Sequence, residues 1–377
     1  MDNKEIKQKY GSWSGSLILH YAAVAGEVPS ELITTLDITT ENRQYVFYRS
    51  KFKGFFICYR QDRMKGYQLR GTAIDYIEAN LLSKYNHFIT SSGFNRRRTT
   101  NNPRKRRRYQ NAAFMYYFLD KMDIDYLTTN EENCFIPACV LKQDFLLSDL
   151  GTKELNREAH QFKSSKIMGL LLKGRYLYNT YVFLDNLSAL EKSTEYRTAE
   201  LINAKYRYES GKTDIPVKTL IFTRNTDSQY LIAKRIMEIK QLLFYKTKID
   251  YSKYGFFKDF DFDLFDELHI IPMDDNGEKE FKLLLQREET EKTIHNQLKQ
   301  YESEPTSKLG IACDTYISDR PTIFLYSLDI IKLIQFYNSL TIRGLQGYIF
   351  CLPHHERIVR ELFFKHQKSV AIIALEM

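Results

Sequence analysis

Residues 96–108 read RRRTTNNPRKRRR: eight of the thirteen positions are arginine or lysine, and none is acidic. Guanidinium forks meet phosphate oxygens in pairs, so a stretch of this kind is chemistry for a polyanion. Such contacts supply affinity that falls steeply with salt, and they carry no base information. Upstream, Arg43, Gln44 and Lys51, followed by Arg60, Arg63 and Lys65, add groups suited to base edges or phosphates. The candidate DNA-binding set is therefore Arg43, Gln44, Lys51, Arg60, Arg63, Lys65, Arg96, Arg97, Arg98, Arg104, Lys105, Arg106, Arg107 and Arg108. A solvated charged face and a nuclear-import signal are the competing readings of the run.

Charge is segregated along the 377 residues. Residues 1–110 hold 20 Lys and Arg against 9 Asp and Glu, a local excess of +11, while the remainder holds 35 against 38. The whole net charge of +8 thus originates in the N-terminal third, which points to one localised surface for a polyanion.

Catalytic chemistry is harder to find. There is no GxxxxGK[ST] phosphate loop, no GxGxxG after a strand, no GxSxG elbow, no HExxH and no His-hydrophobe-His pair. The five cysteines, at 58, 134, 139, 313 and 351, are odd in number and include no CxxC pair. That argues for a reducing compartment and against both a disulfide framework and a zinc finger. His354 and His355 are adjacent but have no partners at metal-binding spacing, so no metal site, no catalytic residue and no cofactor is expected. The start, MDNKEIKQKY, has charge without an apolar h-region, and no apolar run approaches the ~20 residues that span a bilayer. The expectation is a cytoplasmic protein with no membrane partner.

These residues must be positioned by a framework that the apolar spacing outlines. SLILHYAAVAGE (16–27) has apolar residues at helical spacing and ends at Gly26. VPSELITTL follows as a second helix, with Pro29 in its first turn. ENRQYVFYRSKFKGFF gives a third helix with Tyr45, Tyr48 and Phe52 on one face and Arg43, Phe47, Ser50 and Lys51 largely on the other. FFICYR, the turn QDRMKG and YQLR read as a hairpin, and GTAIDYIEANLL as another helix. Residues 91–103 read as an exposed connector. A helix over 104–121 leads to strands at 134–142, 164–174 and 175–184, a helix at 188–209 and a strand at 217–223. Beyond 310 the order is β-α-β-α-β, which implies a largely parallel sheet.

Residues 12–85 resemble the winged-helix family of DNA-binding domains, in element order and in the charge on the third helix and the hairpin. A winged helix used for protein contacts is the alternative. The α-β-β-β-α-β order that follows resembles the restriction-endonuclease-like core. Active members hold metal with an Asp and a Glu-x-Lys set on adjoining strands; here Val140 precedes Lys142 where Glu is needed, and Lys166 has no carboxylate beside it. MKGYQLRGTAIDYI, SSKIMGLLLKGRYLYNT and EYRTAELI are similar to replication–relaxation type proteins of bacterial plasmids and conjugative elements, over residues 15–225. The fold expectation is α/β, α+β overall. A winged helix (12–90) and an arginine-rich bridge (91–110) precede a degenerate, inactive nuclease-like core (111–300) and a C-terminal α/β segment (310–377). The resemblance implies a DNA-binding role in replication or transfer of a mobile element. With the nuclease motif missing, the expectation is a non-catalytic, sequence-specific double-stranded DNA-binding protein in replication, transfer or maintenance of such an element. A homodimer and other replication or transfer proteins are the further partners. Two alternatives stay open. One is a metal-dependent nicking nuclease built on Asp185, Glu191 and Glu195. The other is a transcription regulator whose α/β body binds a ligand or dimerises.

Overall fold

Helix α2 (Ser14–Ala25) is apolar on most of its circumference, so other elements must wrap it. In the computed structural model, α1 (Asn3–Tyr10), α4 (Thr40–Tyr48), α6 (Leu82–Ile89) and α7 (Pro103–Lys121) all pack on it. The structure describes residues 1–11, 13–61, 64–89, 99–128, 133–141, 165–174, 176–184, 198–202, 204, 217–244, 266–303, 311–364 and 370–375. The fold is α+β overall, in two compact units, Met1–Arg175 and Tyr176–Met377.

In the first unit Gly26 ends α2 in the left-handed region, at φ 96°, where glycine has no Cβ to clash. The chain then pairs β1 (Val28–Pro29) with β3 (Met64–Leu69), which also pairs antiparallel with β2 (Phe56–Gln61). Between them lie α3 (Ser30–Thr35) and α4, the latter capped by the Thr39 hydroxyl. After the hairpin come α5 (Gly71–Asn80), α6, α7 and the antiparallel pair β4 (Phe135–Pro137) and β5 (Gly169–Lys173). The expected helical Pro29 is instead a strand residue that also stands at the N-cap position of α3. Proline has no N–H to give a ladder, and a two-residue edge strand tolerates that.

Two further elements differ from the expectation. Helix α4 ends at Tyr48, so its periodicity does not extend to Phe52. Its inward side chains are Val46 and Phe47, and Phe47 stacks on Tyr67 at 4.5 Å and meets Phe56 edge-on. Tyr45 and Tyr48 face out, 46% and 71% exposed. The strand at 134–142 is only three residues long, and 138–141 are helical. Val140 therefore does not occupy a strand position, and Lys142 lies outside the described residues.

In the second unit β6 (Tyr176–Val182), β7 (Val217–Thr223) and β8 (Glu267–Pro272) are parallel neighbours. Their apolar runs are those of strands buried on both faces. Residues 198–202 are helical, and α8 (Thr226–Phe244), α9 (Asp275–Leu285) and α10 (Arg287–Leu298) follow. A second sheet has the order β12-β11-β10-β9. In it β10 (Arg320–Leu325), β11 (Gly347–Cys351) and β12 (Val370–Ala374) are parallel, and β9 (Thr315–Ile317) forms an antiparallel edge. The connections are α11 (Ile330–Arg343) and a helical segment over 353–363, so the β-α-β-α-β order beyond 310 is present. The loop after β10 meets β8 through Ile270 N–H on Leu328 O. All five cysteines are free thiols. Among the described residues no helix is long and apolar enough to cross a membrane.

Candidate nucleic-acid interface

The site is built outward from a buried carboxylate. Glu27, one residue past the glycine that ends α2, is fully buried, and Arg106 from the first turns of α7 is fully buried against it. Arg106 Nη2 lies 2.8 Å from Glu27 Oε1, and Nε donates to both carboxylate oxygens at 3.0–3.1 Å. Gln68 and Gln110 amides add donors at 2.7 and 2.6 Å. The same guanidinium also donates to the carbonyl of Tyr59 in β2. Gly66 makes room, since a Cβ there would lie 2.1 Å from Glu27 Oε1.

The pair seats the start of α7 on the hairpin. Residues 99–100 are pinned to it as well: Gln68 exchanges two hydrogen bonds with the Thr100 backbone, and the Tyr59 hydroxyl meets Thr99 Oγ1 at 2.9 Å. The described end of the expected exposed connector is thus held in place. Asn102 caps α7 by accepting from the Arg104 and Lys105 amides, and Pro103 supplies a preset φ at the first position.

Arg104, Lys105 and Arg107 point to solvent. Arg104 and Lys105 crowd the positive end of the helix dipole with no acid in the first turn, at a cost of about 0.3–1 kcal/mol each that an anion would relieve, and Arg107 lies just beyond. On the hairpin, exposed Arg60 sits directly across from half-buried Lys65. Like charges in that register repel, again until an anion bridges them. Gln44 and Lys51 are exposed.

Other candidates are placed differently. Arg106 is spent on Glu27 and lies beyond the reach of a phosphate. Arg108 is half-buried and donates to the carbonyls of Ser165 and Ile167. Arg43 is half-buried too, leaning on the Thr34 hydroxyl at 3.4 Å. Arg63, Arg96, Arg97 and Arg98 lie outside the described residues. Sequence reasoning missed exposed Tyr45, Tyr48, Arg49 and Lys53. The α4 boundary at Tyr48 is the signal that brings them out.

The second unit holds an open pocket of ≈ 170 Å³ lined by Glu267, His269, Arg287, Tyr326, Ser327, Asp329 and Lys332, among others. Ser327 Oγ is 2.9 Å from His269 Nδ1, and His269 Nε2 is 2.8 Å from Glu267. A hydroxyl–imidazole–carboxylate chain can serve nucleophilic catalysis. Here the amides that would stabilise an oxyanion are engaged: Leu328 N–H donates to Glu280, and Asp329 N–H to Ser327 O. Burial alone would raise the Glu267 carboxyl, but His269, Arg287 and Lys218 outweigh it and hold it well below the usual carboxylate range. Asp329, raised by burial, is occupied with the Leu268 amide and with capping α11. Glu267 is paired with Lys218 and Arg287 and Asp329 is held by backbone amides, unlike carboxylates that hold a catalytic divalent ion with open positions. Asp185, Glu191 and Glu195, proposed for a nuclease, lie outside the described residues.

No family model matches the chain, and neither the curated proteins nor the solved structures yield a match.

Proposed function

We propose that the first unit contains a winged-helix domain that binds double-stranded DNA. In this reading α4 enters the major groove and the β2–β3 hairpin is the wing. Support comes from the order α2-β1-α3-α4-β2-β3 and the sheet order β1-β3-β2. The observation that carries the reading is the seating of Arg104, Lys105 and Arg107 beside the hairpin cations by the buried Arg106–Glu27 pair. Those exposed cations then act as a rigid, sequence-blind phosphate clamp. Gln44, Tyr45 and Tyr48 on α4 are the groups available to read a site.

The α/β body is non-catalytic in this reading, a degenerate nuclease-like core by its α-β-β-β-α-β order. A role in replication or transfer of a mobile element is supported by the sequence resemblance over residues 15–225. The test is fluorescence anisotropy of labelled duplexes across a salt series, with sequencing of fragments selected by the full chain. Binding that weakens steeply with salt and enriches one site is expected. Affinity that stays constant between low and physiological salt would sink the clamp. Metal-dependent cutting of supercoiled plasmid would sink the non-catalytic assignment.

A further inference from the structure

In the second unit, Glu280 of α9 meets two histidines from the turn that follows β11. Glu280 Oε2 lies 3.1 Å from His354 Nε2 and 3.1 Å from His355 Nε2. The Glu280 and His355 side chains are fully buried, and His354 is at the rim, 10% exposed. The three donor atoms all fall within 4.8 Å of one another.

The hydrogen-bond chemistry of His355 is what needs explaining. Its Nδ1 lies 3.3 Å from the Leu325 carbonyl, which can only accept, so Nδ1 carries the proton. In the neutral ring, Nε2 then presents a lone pair toward a carboxylate oxygen that also presents lone pairs. Nε2 has no hydrogen bond although Oε2 is 3.1 Å away, so the oxygen sits off the ring's N–H direction. A proton on Nε2 would meet Glu280 at a poor angle, whereas two donor atoms 3.1 Å apart can share an ion without lying on one straight line. Donors 3.1 Å apart subtend roughly 95–100° at an ion bonded at ~2.0–2.1 Å to each, close to tetrahedral.

The surroundings are those of an oriented ligand set. Leu328 N–H fixes Glu280 Oε1 at 2.7 Å, the Gln229 amide donates to Oε2 at 3.2 Å, and Leu325 O fixes the His355 tautomer. Gln229 Oε1, two bonds from that amide nitrogen, is buried without a partner. A water held by an ion between these groups would supply the donor it lacks.

We propose that Glu280, His354 and His355 bind one divalent transition-metal ion of the zinc type, with a water as fourth ligand. The two imidazoles bind neutral and the carboxylate ionised, which leaves a site charge of +1. The ion ties α9 to the end of β11 within the second unit.

The experiment uses the full chain, stripped with a chelator and then titrated with Zn²⁺ against a chromophoric competitor, and with Co²⁺ by visible absorption. Expected are one tight Zn²⁺ per chain, a tetrahedral Co²⁺ spectrum and a melting temperature raised by Zn²⁺. His354→Gln should weaken Zn²⁺ at least about 100-fold and abolish the spectrum, because loss of an outer partner alone costs 10–100-fold. His87→Gln and His269→Gln should leave both unchanged. Glu280→Gln is the second ligand variant; if it does not fold, the rim variant His354→Gln still decides. Wild-type affinity no tighter than that of His354→Gln, or tight binding lost in His269→Gln instead, overturns the assignment. A bound proton in place of the ion gives the first of these results.

Discussion

Replacing Arg106 by alanine should act on stability, whereas replacing its neighbours should act on DNA. In Arg106→Ala the Glu27 carboxylate stays buried and keeps only the Gln68 and Gln110 amides, while the carbonyl of Tyr59 loses a donor. Leaving one member of a buried ion pair uncompensated costs about 3–5 kcal/mol. The triple variant Arg104→Ala, Lys105→Ala, Arg107→Ala removes only exposed side chains, so its unfolding midpoint in urea should match wild type or exceed it slightly. If each neighbour holds one phosphate, the slope of log affinity against log salt should flatten by about 2.7, at 0.9 per contact. Between 50 and 200 mM salt (conditions chosen to span the effect) the triple variant should then lose about 40-fold less affinity than wild type. Urea unfolding by fluorescence and anisotropy with a labelled duplex measure the two effects. The double variant Glu27→Met, Arg106→Met should recover most of the stability, since apolar groups of similar volume replace buried pairs well. If Arg106→Ala melts like wild type and only weakens DNA, the seating argument fails. If the triple variant unfolds early with an unchanged salt slope, the clamp fails.

Gly66→Ala should destabilise the first unit by more than about 1 kcal/mol in urea, because its Cβ would meet Glu27 at 2.1 Å; a neutral effect would mean that the Glu27 side chain can move aside. Burial raises the carboxyl of Asp120 to about 6, although Tyr10, Tyr21 and Tyr126 all donate to it. The folded state therefore holds this proton more tightly than the unfolded chain, so the contribution is fully present below pH ~4 and is lost as pH rises through about 6. About 3 kcal/mol of pH dependence across that window should be absent in Asp120→Asn, checked by urea unfolding at a series of pH values. Gln44→Ala should lower the ratio of specific to nonspecific affinity by roughly 1–3 kcal/mol if a bidentate base contact is lost. Arg43→Ala, already engaged with Thr34, should change that ratio less; the reverse order in competition binding would move the reading group to Arg43.

What could be read in advance was periodic and long. Helix α7, strand β7 and the alternation beyond 310 have apolar spacing that persists over many residues, so their positions were legible. The phase of α4 was not, because the helix ends at Tyr48, short of the position seven residues after Tyr45, and Phe52 reaches the core from the following turn. Arg106 carried a signal that charge obscured. Stepping back seven residues from buried Asp120 gives Ala113, and seven more gives Arg106, so the inward stripe of α7 passes through the cationic run. Glu280 is separated from His354 by 74 positions. No spacing rule reaches that far, and only the parallel crossovers bring α9 to the end of β11.

The run from Arg104 to Arg108 is five cations in a row, yet the fold assigns them unlike tasks by their angular position on one helix. Composition and order therefore carry separate information within it. Exchanging lysine for arginine at 105 preserves everything the exposed face needs. The same exchange at 106 offers an ammonium where a planar fork must span a carboxylate and a strand carbonyl together. A homologue scanned by charge alone would look equivalent after either change. Variation across relatives should instead be loose at 104, 105 and 107 and coupled at 27, 66 and 106, where one residue cannot drift without the others.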